Sequence, residues 1–334
     1  MKYIFYLLAA FAAGCSAANN FYIEKGMAEL NSGKYHEAIQ SFLKASEEEP
    51  ANAEIFFYSG KAKAKLNFNL GAAEDFTRAI EINHLFFEAY QQRGIIYLYE
   101  SEYRKALSDF NKSIELKPDD TLSYFNRAYV KNSLNDFEGS LKDYSEVLKL
   151  NPFDERAYVN RGNIKGLLND HKGAIEDFTK AVELNPEDYS AFMNRGYDKL
   201  LIGEYKGALA DLDSAIKLKP DKPDIYFIRA DIKGRLEDYK GALADYSRVI
   251  ELDTAYKEIF FHRGKYFTAL GNYKEAINDF TKEMSINPKD AKLYFHRGLN
   301  YLKLKNKKSG CADLKIAGEL GYVDAYSAIS EFCK

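Results

Sequence analysis

Apolar side chains recur along most of this chain at three- and four-residue intervals. They fall in paired stretches separated by short polar turns such as Asn31-Ser32-Gly33 and Gly271-Asn272. That spacing places the apolar residues of each stretch on one face of a helix, and the Gly/Asn clusters mark where one helix stops and the next begins. Around the middle of the chain the pattern predicts a helix over 155–168 and a second over 171–184, with Pro186 preventing the second from continuing.

The pattern repeats every 34 residues. Pro50, Pro118, Pro152, Pro186, Pro220 and Pro288 lie at that interval or twice it. So do the aromatic positions Tyr22, Phe56, Tyr90, Tyr124, Tyr158, Phe192, Tyr226, Phe260 and Tyr294, each followed four residues later by Gly or Ala. A second small position (Ala38, Ala72, Ala106, Ser140, Ala174, Ala208, Ala242, Ala276) and a ring or Leu (Phe42, Phe76, Phe110, Tyr144, Phe178, Leu212, Tyr246, Phe280, Leu314) complete each period. A small pair such as Gly162 and Ala174 lets two helices approach closely, and a ring such as Phe178 fills the space beside them. One such pair cannot bury its own apolar face, so neighbouring pairs must stack, as in repeat architectures generally.

In length, residue type and phase this resembles the tetratricopeptide repeat family, over residues 19 to about 318 as nine repeats. The departures are Tyr or Phe where the family often has Trp, and His84 and Thr254 in place of the junction proline. The resemblance implies an all-α protein: antiparallel helix pairs stacked into a right-handed α-α superhelix whose first helices line a concave groove. The repeats fall at 19–52, 53–86, 87–120, 121–154, 155–188, 189–222, 223–256, 257–290 and 291–320, with a capping helix within 321–334. A uniform array of this kind is expected to behave as one object without internal domain boundaries.

Composition narrows the function. The formal charge is only −3, with acids and bases interspersed, so no clustered basic face is available for nucleic acid or anionic lipid. Residues 1–18 carry Lys2 followed by an apolar run from Tyr3 to Ala13, too short to span a bilayer permanently but suited to a secretory signal. Ala12-Ala13-Gly14-Cys15 resembles a bacterial lipobox, departing at Ala12 where the pattern prefers Leu. The expectation is therefore lipidation at Cys15 and a periplasm-facing membrane lipoprotein of a bacterial envelope, since several acyl chains anchor stably. Cleavage after Ala18, giving a soluble periplasmic or secreted protein, and an uncleaved anchor are the alternatives. If Cys15 is lipidated, Cys311 and Cys333 remain as a pair, and a helical hairpin centred on Tyr322 would set them opposite each other as a disulfide.

Two polar ladders are candidates for chemistry. Arg93, Arg127, Arg161, Arg195, Arg229, Arg263 and Arg297 share the period with eight aspartates from Asp75 to Asp313. Either the arginines form an anion-binding track, or the aspartates satisfy them and set the stacking register. The sequence leaves open whether each Arg meets the Asp of its own repeat, of the preceding one, or both. Asn126, Asn160 and Asn194 occupy one position in three successive repeats. By the resemblance this position faces the groove, where an amide can both donate to and accept from a peptide backbone. Phe125, Tyr129 and Tyr197 lie beside it and would supply an aromatic floor; the alternative is that the Phe column packs between repeats. His262 and His296 take the Asn position in later repeats, but no carboxylate or thiol cluster completes a metal site. No Gly-rich phosphate loop, metal motif or non-repeat insertion appears, and no lysine-rich groove of the chaperone-tail kind is evident. The expected function is a non-catalytic scaffold that binds a protein or peptide partner without a cofactor. A cytosolic adaptor and an enzyme with an unrecognised site are the alternatives; the oligomeric state is left open.

Overall fold

The computed structural model describes residues 21–333. The signal-sequence and lipobox expectations, Cys15 included, lie outside the described residues. The described residues form helices joined by short turns, without strands. The chain divides after Ile164 into two compact units.

The first unit begins with α1 (21–31), α2 (Tyr35–Glu48), α3 (Ala53–Lys65) and α4 (Asn69–Ile82). It continues with α5 (Phe87–Tyr99), α6 (Tyr103–Leu116), α7 (Thr121–Ser133), α8 (Phe137–Leu150) and most of α9 (Glu155–Leu167). The second unit contains α10 (His171–Leu184), α11 (Tyr189–Leu201), α12 (Tyr205–Leu218), α13 (Pro223–Arg235) and α14 (Tyr239–Leu252). After these come α15 (Ile259–Ala269), α16 (Tyr273–Ile286), α17 (Ala291–Lys303), α18 (Lys307–Glu319) and α19 (Asp324–Phe332). The helices expected over 155–168 and 171–184 are α9 and α10, the first one residue shorter than expected. In each unit consecutive helices pack on one another, the helices of one repeat most extensively.

Local chemistry explains the punctuation. Asp120, Asp136, Asp170, Asp188, Asp238 and Asp290 each accept a backbone N–H in the first turn of the helix that follows, satisfying donors that the helix itself cannot. Within every repeat the turn between the two helices passes through one residue with positive φ. The nine are Gly33, Asn67, Ser101, Asn135, Asn169, Gly203, Glu237, Gly271 and Lys305, with φ between 59° and 82°. Gly and Asn tolerate that conformation; Ser, Glu and Lys adopt it at a cost.

The core is built from the small and aromatic ladders. Ala38, Ala72, Ala106, Ala174, Ala208, Ala242 and Ala276 are wholly buried, as are Phe42, Phe76, Phe110, Tyr246 and Phe280. A Cβ placed on Gly60 would lie 2.8 Å from Cε1 of Phe76, and one on Gly264 would lie 2.9 Å from Cε1 of Phe280. The ring occupies the space that the missing side chain vacates. The hydroxyls of Tyr226 and Tyr294 donate to the carbonyls of Pro220 and Pro288 at the preceding junction, both at 3.1 Å. That bond gives Tyr a role at these positions that Trp could not fill in the same way.

The two junctions without proline behave differently. At His84 the following helix, α5, has its full 13 residues. At Thr254 the helix α15 starts late, is 11 residues long, and is preceded by Glu258 in the left-handed region. Loss of the proline alone therefore does not loosen a junction. At the C-terminal end, Cys311 of α18 and Cys333 are joined by a disulfide with Cα atoms 5.7 Å apart, and Tyr326 Oη donates to Gly318 O at 2.8 Å. Together they hold α19 against α18.

Candidate functional site

The arginine ladder resolves into structure. In each bidentate pair Arg Nε and Nη2 donate to the two carboxylate oxygens of the Asp in the same repeat. Arg93–Asp109, Arg127–Asp143, Arg195–Asp211, Arg229–Asp245, Arg263–Asp279 and Arg297–Asp313 all do so at 2.6–2.9 Å. Nη1 then reaches back one repeat to a short polar side chain: Thr77, Asn111, Ser145, Thr179, Asp213, Ser247 or Thr281. Each of these six guanidiniums therefore binds its own repeat through a carboxylate and its neighbour through a third donor. These Arg–Asp pairs lie within the repeat, and the contact to the preceding repeat goes to a residue outside the Asp ladder. Burial works against the charge of Arg229, but its hydrogen bonds to Asp245 and Asp213 raise its pKa above the ordinary arginine value.

The residue four positions after the Arg completes the site in one of two ways. Where it is Lys131, Lys199 or Lys233, its ammonium joins the same Asp at 2.7–2.8 Å. Where it is Tyr97, Phe267 or Tyr301, the ring lies against the guanidinium, whose carbon is 5.4–5.9 Å from the centroid. In the second repeat Ser59 stands at the Arg position, and Asp75 pairs with Lys63 at 2.7 Å instead. With the donor fork engaged on both sides of the repeat junction, these arginines are register devices rather than an anion-binding track.

The Phe column lies at the seam between repeats. Phe125 is half-buried, its ring edge-on to Tyr144 at 5.4 Å and under the Arg156 guanidinium at 4.9 Å. Phe227 packs on Tyr246 and Tyr256, Phe261 on Phe280, and Phe295 on Tyr322. The asparagine position borders the same seam. Its occupants in other repeats stack on the second helix of the repeat before: Tyr58 on Phe42, His262 on Tyr246 and His296 on Phe280. Asn126 and Asn160 in the first unit and Asn194 in the second are accordingly half-buried. Asn160 Nδ2 donates to Arg156 O at 2.8 Å, one turn back along α9.

Tyr129 of α7 and Tyr197 of α11 are different. They occupy one repeat position, three residues beyond the Asn, and are 46 % and 47 % exposed. They are the candidate residues with a large open ring face. His262 and His296 are enclosed by rings, and burial lowers the pKa of both, that of His296 to about 4. They are neutral at physiological pH. Among the described residues no group of three His, Cys, Asp or Glu side chains is placed to hold a metal ion. None of the described helices is long and apolar enough to cross a membrane.

Sequence reading missed two polar features, and each had a signal. The far partners of the arginines form a column of short polar residues two positions after seven of the eight aspartates, from Thr77 to Thr281; Lys315 follows Asp313, which no further Arg-bearing repeat succeeds, and Leu43 stands at this position before the repeat that has Ser59 in place of Arg. In the second unit, Asp198 occupies a position that is Val130, Ile164 or Ile232 elsewhere, and pairs with Nδ1 of His171 at 2.7 Å. Burial raises the Asp198 pKa, against the opposing effect of His171. His171 replaces a residue that is Tyr at 103, 205, 239 and 273, and Gly166 beside it leaves room for the carboxylate. Three compensating departures from the repeat marked that contact.

Helix-hairpin repeats locked by a recurring Arg–Asp register define a class of α-helical repeat protein. The chain belongs to the tetratricopeptide repeat family. Models of that repeat match residues 20–52, 87–120, 122–154 and 155–188 singly, and 196–253 and 229–291 as longer segments. Proteins of this family generally mediate protein–protein interactions and are generally non-catalytic. No curated protein matches the chain. Among solved structures, the C-terminal part of a TPR repeat-containing protein from Cytophaga hutchinsonii is similar with a TM-score of 0.61 at 14 % identity, covering 72 % of this chain and 98 % of that one. A tetratricopeptide repeat protein from Parabacteroides merdae gives 0.54 at 18 % identity, covering 75 % and 99 %. YrrB, described as a TPR protein with an unusual peptide-binding site, gives 0.52 at 21 % identity, covering 57 % and 97 %. At these identities the likeness is one of fold.

Proposed function

We propose that this protein is an exported, lipid-anchored scaffold that binds a peptide or protein partner on the faces of its first helices. The observation that carries the reading is the contrast between the two polar ladders. The Arg–Asp ladder is consumed internally, whereas Tyr129 and Tyr197 hold broad aromatic faces open to solvent three residues from half-buried amides. Exposed rings beside amide groups suit an extended segment, the rings taking side chains and the amides taking backbone groups. Asn126, Asn160 and Asn194 are the proposed backbone contacts, with Tyr129 and Tyr197 and the open edge of Phe125 as the apolar ones.

Export and anchoring rest on residues 1–20 and on Cys15. The Cys311–Cys333 disulfide favours an oxidising compartment, and so favours this reading over a cytosolic adaptor. Detergent phase partition of wild type and Cys15→Ser tests the anchor: the wild type should enter the detergent phase and the variant should not. Crosslinked co-purification from membranes tests the binding face, comparing wild type with combined Asn126→Ala, Asn160→Ala and Asn194→Ala. A discrete partner lost only in the folded triple variant supports the reading. A partner retained unchanged moves the site off these amides, and no partner with either protein removes the basis for a scaffold.

A further inference from the structure

Within the first unit, the C-terminal halves of α3 and α5 border a recess of about 450 Å³ lined by Lys61, Lys65, Asn67, Asn69, Gln92 and Tyr99 with Ile95 at its floor, and by no carboxylate. Lys61, Lys63 and Lys65 alternate along α3, so the middle one points away from the other two. Lys63 is neutralised by Asp75 at 2.7 Å. Lys61 and Lys65 share a face one turn apart, and among the described residues neither enters an ion pair. Lys61 Nζ lies 5.6 Å and 5.7 Å from the rings of Phe57 and Tyr58, which hold it over the recess without cancelling its charge. One acid, Glu100, sits at the rim, where it accepts from Asn69 Nδ2 at 2.6 Å; Glu54 and Glu88 stand in the first turns of α3 and α5, at the opposite ends of those helices.

No other repeat has this arrangement. The two positions filled by Lys61 and Lys65 are Ile95 and Tyr99, Tyr129 and Ser133, or Tyr197 and Leu201 in other repeats. Charges return at Asp231 and Arg235, which neutralise each other at 3.0 Å, and singly at Lys265 and Lys303, whose companion positions are the uncharged Ala269 and Leu299. Two unpaired ammonium groups repel one another, and an anion placed between them relieves that repulsion while accepting from both. With Asn69 held by Glu100, the side-chain amides of Asn67 and Gln92 can orient a carboxylate and its backbone, and Tyr99, 76 % exposed, offers an apolar face to a neighbouring side chain.

We propose that this recess takes the carboxylate of an Asp or Glu side chain from an extended peptide, flanked by an apolar residue seated on Tyr99 and Ile95. The proposal rests on the peptide-binding reading above and sharpens it to a partner with an acidic-apolar motif. The acid would set the register of the bound segment, because the neighbouring repeats of this unit present uncharged side chains at the equivalent positions.

The full chain, immobilised, is exposed to a degenerate peptide library with acetylated N-termini and amidated C-termini, and in a second arm to the same library with free C-termini. Retained peptides are sequenced for wild type, Lys61→Gln/Lys65→Gln and Lys61→Glu/Lys65→Glu, each checked for native helicity. The wild type should enrich Asp or Glu over Asn or Gln at one position by about tenfold, next to an apolar residue, as expected for a charge-assisted contact. The Gln variant should lose the preference and the Glu variant should turn it towards Lys or Arg. Wild-type retention without an acid preference, a preference that survives in both variants, or retention only of free C-termini would overturn the inference while leaving peptide binding intact. No retention in either arm would overturn both.

Discussion

Asp245 is the place to test whether the Arg–Asp register is structural. Its carboxylate is 4 % exposed, accepts from Arg229 Nε and Nη2 at 2.9 and 2.6 Å, and meets Lys233 Nζ at 2.7 Å. Asp245→Ala removes the only charge between two cations that then face each other at about 6 Å or less, a repulsion of about 3 kcal/mol at the effective dielectric of a partly buried site. Lys233 can relieve part of that by swinging into water, and Arg229 keeps Asp213 at 2.6 Å. Breaking a buried pair by removing one partner costs about 3–5 kcal/mol, so with this relief the expected loss is about 2–4 kcal/mol. Asp213 is more than half exposed, and Asp213→Ala should cost about 0–1 kcal/mol, which makes it the internal control. Urea unfolding followed by circular dichroism gives the overall loss. Because repeat arrays open in segments, hydrogen exchange in α13 and α14 should localise it. A buried pair is little screened, so the difference from wild type should persist in about 1 M salt, where exposed charges are screened within about 3 Å. A loss below about 0.5 kcal/mol, or one that vanishes in high salt, would place the pair among ordinary surface ion pairs and refute the register argument.

Three further outcomes follow from the same structure. His296 is enclosed by Phe261, Phe280 and Phe295, and burial lowers its pKa from the ordinary 6.5 to about 4. A base with a depressed folded pKa is bound to fewer protons in the folded state, so its contribution is intact above pH 6.5 and is lost as the pH falls towards 4. His296→Phe should remove about 2–3 kcal/mol of acid sensitivity in that window, read from unfolding midpoints across pH; an unchanged pH profile would contradict the burial argument. Glu237 occupies a left-handed turn position with φ of 62° that is Gly in three other repeats, so Glu237→Gly should stabilise by about 0.5–1 kcal/mol, and a lower melting temperature would count against it. The Cys311→Ser/Cys333→Ser variant should lose about 2–4 kcal/mol, with faster hydrogen exchange confined to α18 and α19; faster exchange throughout the second unit would show instead that the staple supports more than the cap.

What could be read from the sequence was whatever repeats. Helix-pair identity, the turn and proline positions, the small–ring contacts and the all-α family all follow from residues at one interval, because each repeat faces the same packing problem and solves it with the same side-chain sizes. The Cys311–Cys333 pairing was equally legible, since a short hairpin leaves two cysteines few other partners. Tertiary structure decided matters of direction and sharing. Asp109 and Asp245 face the Arg of their own repeat because the two helices of a hairpin set them level, while the third guanidinium donor crosses to Thr77 or Asp213 because the neighbouring hairpin stacks beside it. Periodicity alone cannot choose between those two neighbours. Nor could it separate Phe125, packed on Tyr144 of its own hairpin and under Arg156 of the next repeat, from Tyr129, left open one turn further along α7. The departures from the repeat carried the rest: Asp198 with His171, and the unpaired Lys61 and Lys65, were visible as letters but acquired meaning only when the fold showed which charges had partners.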